Sequence, residues 1–345
     1  MATNSSLPRI CVLGSLNIDL VSYVPHHPAP GETLTSNSFA VSPGGKGANQ
    51  AVACAKLSRS QPTSKDASPS GATAHVAMVG AVGADTYGEI LRTNLSSHGV
   101  DVSNVLAPQD LKTGIAIIIV DEPTGQNRIV LSPEANHLGV APTAFPATIR
   151  PRVFGGGGGG GGGEGQPPKP DLLIMQLEVP LQTVLLALEA AKEEGVAVLL
   201  NPAPAVKLPD AVYDGLAHLI VNETEASLLS GLPVEKLDTE QGCKEVATWF
   251  LQKGVLAVII TLGGRGVYFM AKGAEKLLPA EKVKEVVDTT AAGDTFVGQY
   301  ALEVVSSKGG EFALENAVRR ANKAAARTVE RKGAQHSIPW RDELV

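Results

Sequence analysis

The chain has 345 residues, 43% of them apolar and 4% aromatic, with a net charge of −6. That length suits one large α/β domain or two ordinary ones with an ample core. The mildly acidic balance and the lack of any Lys/Arg block argue against a nucleic-acid groove or a membrane-binding face. No apolar run approaches the ~18 residues of a membrane span, and the short polar start, Met1 to Pro8, has neither a signal-peptide core nor an Arg-rich amphipathic pattern. The three cysteines, Cys11, Cys54 and Cys243, lie far apart without metal-type spacing and read as buried free thiols in a reducing compartment. A soluble intracellular protein is expected.

Ile10 to Ser15 is a short apolar run ended by Gly14, as in a buried central strand, and it empties into the alternating stretch Leu16-Asn17-Ile18-Asp19-Leu20. Pro25 to Gly31 marks a turn or crossing point, and Thr33 to Val41 is β-like. Pro43-Gly44-Gly45-Lys46-Gly47-Ala48-Asn49-Gln50 then opens a helix with Ala51, Val52 and Ala55 on one face. Residues 58–72, rich in Ser, Pro and Thr, read as an exposed, disordered insertion. A strand over Val76 to Gly80 and a helix over Tyr87 to His98 follow. Thr113 to Asp121 and Gln126 to Leu131 read as a hairpin, joined by Glu122-Pro123-Thr124-Gly125. That hairpin and the Thr33 region break the alternation found elsewhere, which predicts a small separate sheet from about 16–42 and 112–133. The glycine run from Gly155 to Gly163 and the Pro-rich stretch to Pro170 cannot bury apolar surface, so 155–170 also reads as a disordered insertion within one domain spanning 1–345.

From Leu172 the alternation is regular. Strand Leu172 to Gln176 is followed by helix Leu181 to Glu194, with Pro180 before it and Gly195 after it. Strand Val196 to Leu200 runs into Asn201-Pro202-Ala203-Pro204, and Leu219 to Val221 opens on Asn222-Glu223-Thr224-Glu225. One helix to Lys253-Gly254 precedes strand Leu256 to Ile260, and the last long helix runs from Phe312 to Thr328. Repeated strand–helix units predict a mostly parallel sheet with helices on both faces, whose ligands sit beyond the strands' C-terminal ends. The polar clusters fall there: Asn17/Asp19, Glu178, Asn222/Glu225, Thr261 and the loop at Asp294.

Asp288-Thr289-Thr290-Ala291-Ala292-Gly293-Asp294 organises the rest. Small residues let a ligand approach the backbone, and the helix that follows aims unpaired N–H groups at an anion. The plainest reading of Asp294 is an N-cap; the alternative is a base that takes a proton from a nucleophile beside those N–H groups. Asn17, Asp19, Gly45, Lys46, Asn49 and Glu178 together suit recognition of vicinal hydroxyls. There is no nucleophilic triad, the Gly44-Gly45-Lys46-Gly47 loop lacks the P-loop spacing, and Gly263 to Gly266 has no dinucleotide fingerprint.

Together these stretches resemble the PfkB-type carbohydrate kinases, above all their ribokinase branch. The first family signature looks like Gly44 to Ala51 and the second like Asp288 to Phe296, and Gly14 to Asp19, Pro30 to Thr33, Met175 to Glu178, Asn201 to Pro204, Asn222 to Glu225 and Arg331 to Gln335 follow in the family's order. The resemblance implies a three-layer α/β/α fold with a small β-sheet lid, and ATP-dependent phosphorylation of D-ribose at O5. It makes Asp294 the general base and the N–H groups of Ala291, Ala292, Gly293 and Asp294 an anion hole. Ribose would be bound by Asn17, Asp19, Gly45, Lys46, Gly47, Asn49, Glu178 and Asp294. Nucleotide would lie along Asn222, Thr261, Leu262, Gly263, Gly264, Arg265, Gly266, Gly293 and Asn322. Asn222 and Glu225 would organise Mg2+ through water. Asp288, Thr290, Thr328, Arg331, Gly333 and Ser337 would surround an activating K+ or another monovalent ion, although Arg327 and Glu330 are bulkier than the small residues expected there. The resemblance further implies a cytoplasmic homodimer joined through the lid, present also in the nucleus if eukaryotic, with no nucleic-acid or membrane partner. A kinase for deoxyribose or another sugar, or a catalytically silent sugar-binding relative, are the rival readings.

Overall fold

A computed structural model of the chain describes residues 7–62, 71–155, 167–307 and 312–344. The two tracts read as insertions lie mostly outside the described residues, at 63–70 and 156–166. The start of the first differs from expectation: Ser58 and Arg59 are buried, and both side chains bond to the Ala55 carbonyl, so this helix end is anchored rather than exposed.

β1 (Arg9–Leu13) leads into β2 (Asn17–Val24) and β3 (Ser38–Gly44), then α1 (Lys46–Leu57), β4 (His75–Ala81), α2 (Thr86–Ser97) and β5 (Val105–Leu106). β6 (Gly114–Asp121), β7 (Asn127–Ser132), α3 (Ala135–Leu138) and α4 (Arg150–Phe154) follow. The regular part comprises β8 (Leu172–Met175), α5 (Leu181–Glu194), β9 (Ala197–Leu200), β10 (His218–Asn222), α6 (Glu223–Ser230), α7 (Glu240–Gln252) and β11 (Ala257–Thr261). β12 (Val267–Ala271) and β13 (Ala274–Leu278) precede the long helices α8 (Ala292–Ser306) and α9 (Leu314–Val329).

Among the described residues, nine strands form the main sheet in the order β13-β12-β11-β10-β9-β8-β1-β4-β5, parallel from β11 through to β5 and antiparallel at the β12 and β13 edge. Side-chain alternation divides the core. Ile10 and Val12 pack into the layer containing α1, α8 and α9, while Cys11 and Leu13 pack into the layer containing α5 and α7. All three cysteines are buried and free.

Four strands form the second sheet, in the order β3-β2-β6-β7, with β2 and β6 parallel and the other pairs antiparallel. Its register puts Asp19, Val21, Tyr23, Ala40, Ala116 and Ile118 on one face, turned to a large cleft against the main sheet. Leu20, Val41, Ile117 and Val130 lie on the other face, where Val41, Ile117 and Val130 are exposed.

Several boundaries differ from the sequence reading. The single helix expected before Lys253 is two, because Gly231 closes α6 in the left-handed conformation and Pro233 follows it. Thr33 to Asn37 is irregular, and β3 starts only at Ser38. The β12–β13 hairpin went unread because β13 is mostly exposed and lacks a clean alternation. Phe312 precedes α9 instead of opening it.

α1 and α8 run side by side in the same direction, since Asn49 meets Asp294 and, one turn on, the Cys54 thiol meets the Gly298 carbonyl at 3.7 Å. Small residues allow this approach: a Cβ on Gly298 would stand 2.5 Å from the Ala53 Cβ and 2.8 Å from the Cys54 nitrogen. Gly298→Ala should therefore force the helices apart and destabilise the protein by about 1–3 kcal/mol. Urea unfolding checks this, and an unchanged midpoint would show that the contact is not tight.

Candidate active site

The N-termini of α1 and α8 open at the same end of the sheet. Gly45, with φ +88°, turns the chain from β3 into α1, and a side chain there would collide with the backbone of Asn17 and Ser15. Gly47 is equally confined, its missing Cβ position being 2.5 Å from the Ser15 nitrogen. The backbone of the Gly-Gly-Lys-Gly stretch is thus pressed against the β1–β2 loop, which brings Lys46 and Asn49 beside Asn17 and Asp19.

Glu178, just past β8, accepts hydrogen bonds from the Lys46 N–H (2.9 Å) and the Ser15 hydroxyl (2.5 Å). Asn17 is held by Asn136 of α3, which donates to its Oδ1 at 2.7 Å and also bonds the Leu16 backbone. Asp19, Glu178 and Asp294 line the same cleft as the Lys46 side chain. Burial alone would lower the Lys46 pKa, but the charges of Asp294, Glu178 and Glu225 outweigh it and raise it. Burial, with the charges of Glu178 and Asp294, pushes Asp19 up from 3.8 to about 7.

Asp294 is not the N-cap of α8. That position belongs to Ala291, a non-glycine residue in the left-handed region (φ 61°, ψ 8°), and Asp294 sits inside the first turn, buried. Asn49 Nδ2 donates to its Oδ2 at 3.0 Å and Gln50 Nε2 to its Oδ1 at 2.9 Å. The left-handed residue followed by helical ones turns successive N–H groups toward one point, an anion-binding shape. Among the described residues the N–H groups of Ala291, Gly293 and Asp294 meet no acceptor, while that of Ala292 reaches the Thr289 carbonyl at 3.3 Å. A left-handed alanine costs about 1–3 kcal/mol, a cost that clusters at functional sites.

Two cavities meet at this turn. The larger, about 1090 Å3, lies under the small sheet and includes Asn17, Asp19, Asn49 and Glu178 in its wall. The smaller, about 230 Å3, is bounded by Asn222, Glu225, Thr261 and Gly293. Lys46, Ala291 and Asp294 line both.

The remaining predicted residues divide. Asn222 and Glu225 are locked in a reciprocal capping box at the start of α6, and burial raises the Glu225 pKa. Leu262 turns its side chain into the core, so only its backbone is available to a ligand. Arg265 pairs with Glu223 and donates to the Leu237 carbonyl at 2.7 Å. Asn322, on α9, spends its amide on the Pro279 carbonyl and lines neither cavity. Asp288 ties its own loop to the C-terminal one, accepting from the N–H groups of Thr290 (2.9 Å) and Gly333 (2.8 Å). Burial alone would raise its pKa, but these hydrogen bonds and the nearby Lys332 charge hold it below the ordinary carboxylate value. The side chains of Thr328, Arg331 and Ser337 turn elsewhere, to Thr295, Glu343 and the Ala334 carbonyl, so only their carbonyls remain as candidate ligands. Arg327 and Glu330 pair with each other, and Glu330 takes the Lys284 N–H. Among the described residues no group of three or more His, Cys, Asp or Glu side chains is placed to hold a metal. One ionised carboxylate among carbonyls suits an alkali ion, and the Asn222–Glu225 oxygens suit a hydrated ion carried on phosphates.

Ser15, Gln50 and Gln335 lie inside the signature stretches but had no role assigned from sequence, and Asn136 lies outside them. All four are buried polar residues, whose partners no local pattern reveals. Lys332, over the Tyr23 ring at 4.2 Å, also joins the C-terminal loop to the small sheet.

Residues 7–341 match the family model for pfkB family carbohydrate kinases. The chain belongs to the pfkB carbohydrate kinase family. Among family members, it is 41% identical to the ribokinase of Schizosaccharomyces pombe, over 96% of this chain and 95% of that one. It is 34% identical to the deoxyribokinase of Salmonella typhi over 96% and 95%. A solved structure of Arabidopsis thaliana ribokinase complexed with ribose and ATP aligns over 98% of both chains, with a TM-score of 0.79 and 27% identity. The main sheet with helices on both sides and the smaller sheet beside it are the fold of these kinases.

The crowded carboxylates make a pH prediction. A carboxyl whose folded pKa exceeds its unfolded one binds more protons when folded, so stability falls as pH rises from 3.8 to about 7 and then levels. In urea unfolding across that window, Asp19→Asn should flatten the decline; a slope equal to wild type would show that Asp19 titrates normally.

Proposed function

We propose that this chain transfers the γ-phosphoryl group of ATP to O5 of D-ribose, giving D-ribose 5-phosphate and ADP. The observation that carries this reading is the pair of cavities meeting at Lys46, Ala291 and Asp294. One is lined by amides and carboxylates suited to hydroxyls, the other by a helix N-terminus and strand ends suited to phosphates. The relatives named ribokinase and the solved ribokinase complex with ribose and ATP support the substrates.

In this reading Asn17, Asp19, Gly45, Lys46, Gly47, Asn49 and Glu178 hold the sugar so that its 5-hydroxyl faces Asp294. Asp294 takes that proton as the oxygen attacks the γ-phosphorus and the bond to ADP breaks. The charge that develops on the phosphoryl oxygens meets the N–H groups of the Ala291–Asp294 turn and the Lys46 ammonium. The nucleotide lies along Asn222 and the Thr261–Gly266 edge, with Asn322 at its outer end. Asn222 and Glu225 would hold Mg2+ through water, and the ion would supply charge neutralisation on the phosphates. Asp288 and the neighbouring carbonyls would hold K+, which would support the shape of the anion-binding turn.

The whole chain acts as one catalytic domain. The small sheet serves as a lid that excludes water, which would otherwise compete with ribose for the phosphoryl group. The apolar outer face of that sheet, with Val41, Ile117 and Val130 exposed, supports pairing with a second copy. A cytoplasmic location fits these substrates. Deoxyribose is the second reading, because a deoxyribokinase matches nearly the full chain at 34% identity.

ADP release measured with ribose, deoxyribose, fructose and adenosine should be fastest with ribose; faster turnover of deoxyribose would reverse the assignment. Asp294→Asn should lower kcat by at least about a thousandfold with calorimetric ribose affinity nearly unchanged. Retained turnover would remove Asp294 as the base, and no turnover by wild type despite ribose binding would indicate a silent relative. Asp288→Asn should abolish stimulation by K+ while leaving ribose binding intact; undiminished stimulation would place the cation elsewhere.

A further inference from the structure

Both oxygens of Asp294 are held by side-chain amides, and each amide is held in turn by others. On one side, Gln50 Nε2 donates to Asp294 Oδ1 at 2.9 Å and to Asn201 Oδ1 at 3.0 Å, while Gln50 Oε1 accepts from Gln176 Nε2 at 2.5 Å. On the other side, Asn49 Nδ2 donates to Asp294 Oδ2 at 3.0 Å, and Gln335 Nε2 donates to Asn49 Oδ1 at 3.1 Å. Asn94 of α2 then donates to Gln335 Oε1 at 2.6 Å. Along the chains Gln176–Gln50–Asp294 and Asn94–Gln335–Asn49–Asp294 the donors point toward the carboxylate.

An amide can turn over at little cost unless its neighbours forbid it. Here Asn201 Nδ2 is committed to the Ile220 carbonyl at 3.0 Å, so its oxygen must face Gln50. Gln176 presents its N–H group to Gln50 and leaves its own oxygen without a partner among the described residues. A flipped Gln50 would set its oxygen against the Asp294 carboxylate and against Asn201 Oδ1, and its N–H group against the donating Gln176. Gln50 therefore has one permitted orientation, set from the ends of β8 and β9 and from α8 together. It is fully buried and lines neither cavity, so it acts on Asp294 and not on a ligand.

We propose that Gln50 is the positioning residue of the base: held by Gln176 and Asn201, it fixes the rotamer of Asp294 and keeps its carboxylate aimed at the sugar hydroxyl. This rests on the reading of Asp294 as the base. Amide donors fixed by their own neighbours require no reorganisation when the hydroxyl arrives.

The test uses the full chain with ribose and Mg-ATP. Gln50→Met keeps the length and removes the donor. It should lower kcat roughly 10- to 100-fold, the effect of one lost hydrogen bond to a charge. Calorimetric ribose affinity should stay within about threefold, so that the loss falls on kcat and not on binding. Gln176→Met removes an unpartnered buried oxygen and so should fold; it takes away the donor that anchors Gln50 Oε1, loosening Gln50 without reversing it, and should give the same signature at roughly 3- to 10-fold. It decides the matter if Gln50→Met does not fold. A folded variant with kcat unchanged, or with the loss in ribose affinity alone, overturns the proposal while an inactive Asp294→Asn leaves the base reading standing. An active Asp294→Asn removes both.

Discussion

The packing of α1 against α8 is the constraint on which the site depends. Ala53, Cys54 and Gly298 meet where no larger side chain fits, and the two helices run in the same direction with their first turns level. That register alone sets Asn49 and Gln50 against Asp294, which lie 245 and 244 positions away in the sequence. Because helices are stiff over a turn or two, a contact at Gly298 determines geometry at Asp294 to a fraction of an ångström. Small residues here do more than save space; they set the distance at which one helix presents donors to the other's carboxylate.

Electrostatics follow from the same convergence. The β1–β2 loop, the turn before α1, the end of β8 and the first turn of α8 bring three carboxylates and one ammonium to the same cleft. Such crowding is unfavourable, and burial with the charges of Glu178 and Asp294 pushes the Asp19 carboxyl up to about 7. Hydroxyl groups can donate hydrogen bonds to crowded carboxylates, which apolar groups cannot.

Much of this was legible in the chain. The strand–helix alternation, the strand-end position of the polar clusters and the two signature stretches around Gly45 and Asp294 were all visible, because each is a local pattern with a physical reason. Boundaries were less so: Gly231 and Pro233 divided one expected helix into two, and an exposed hairpin at β12–β13 left no alternation to read. Asp294 itself was placed one turn too early, because an Asp at a helix start looks the same at the cap and inside the first turn until the dihedrals of Ala291 are known.

By itself the sequence determined the fold class and the family and singled out the candidate site residues, because hydrophobic period, glycine placement and signature spacing are properties of short stretches. Only the tertiary structure decided how those residues meet. Leu262 faces the core, the side chains of Thr328, Arg331 and Ser337 are committed elsewhere, and Gln50, Gln335 and Asn136 hold the groups that face the cavities. A buried amide has no sequence signature, since what distinguishes it from a surface one is the set of partners that long-range packing brings to it.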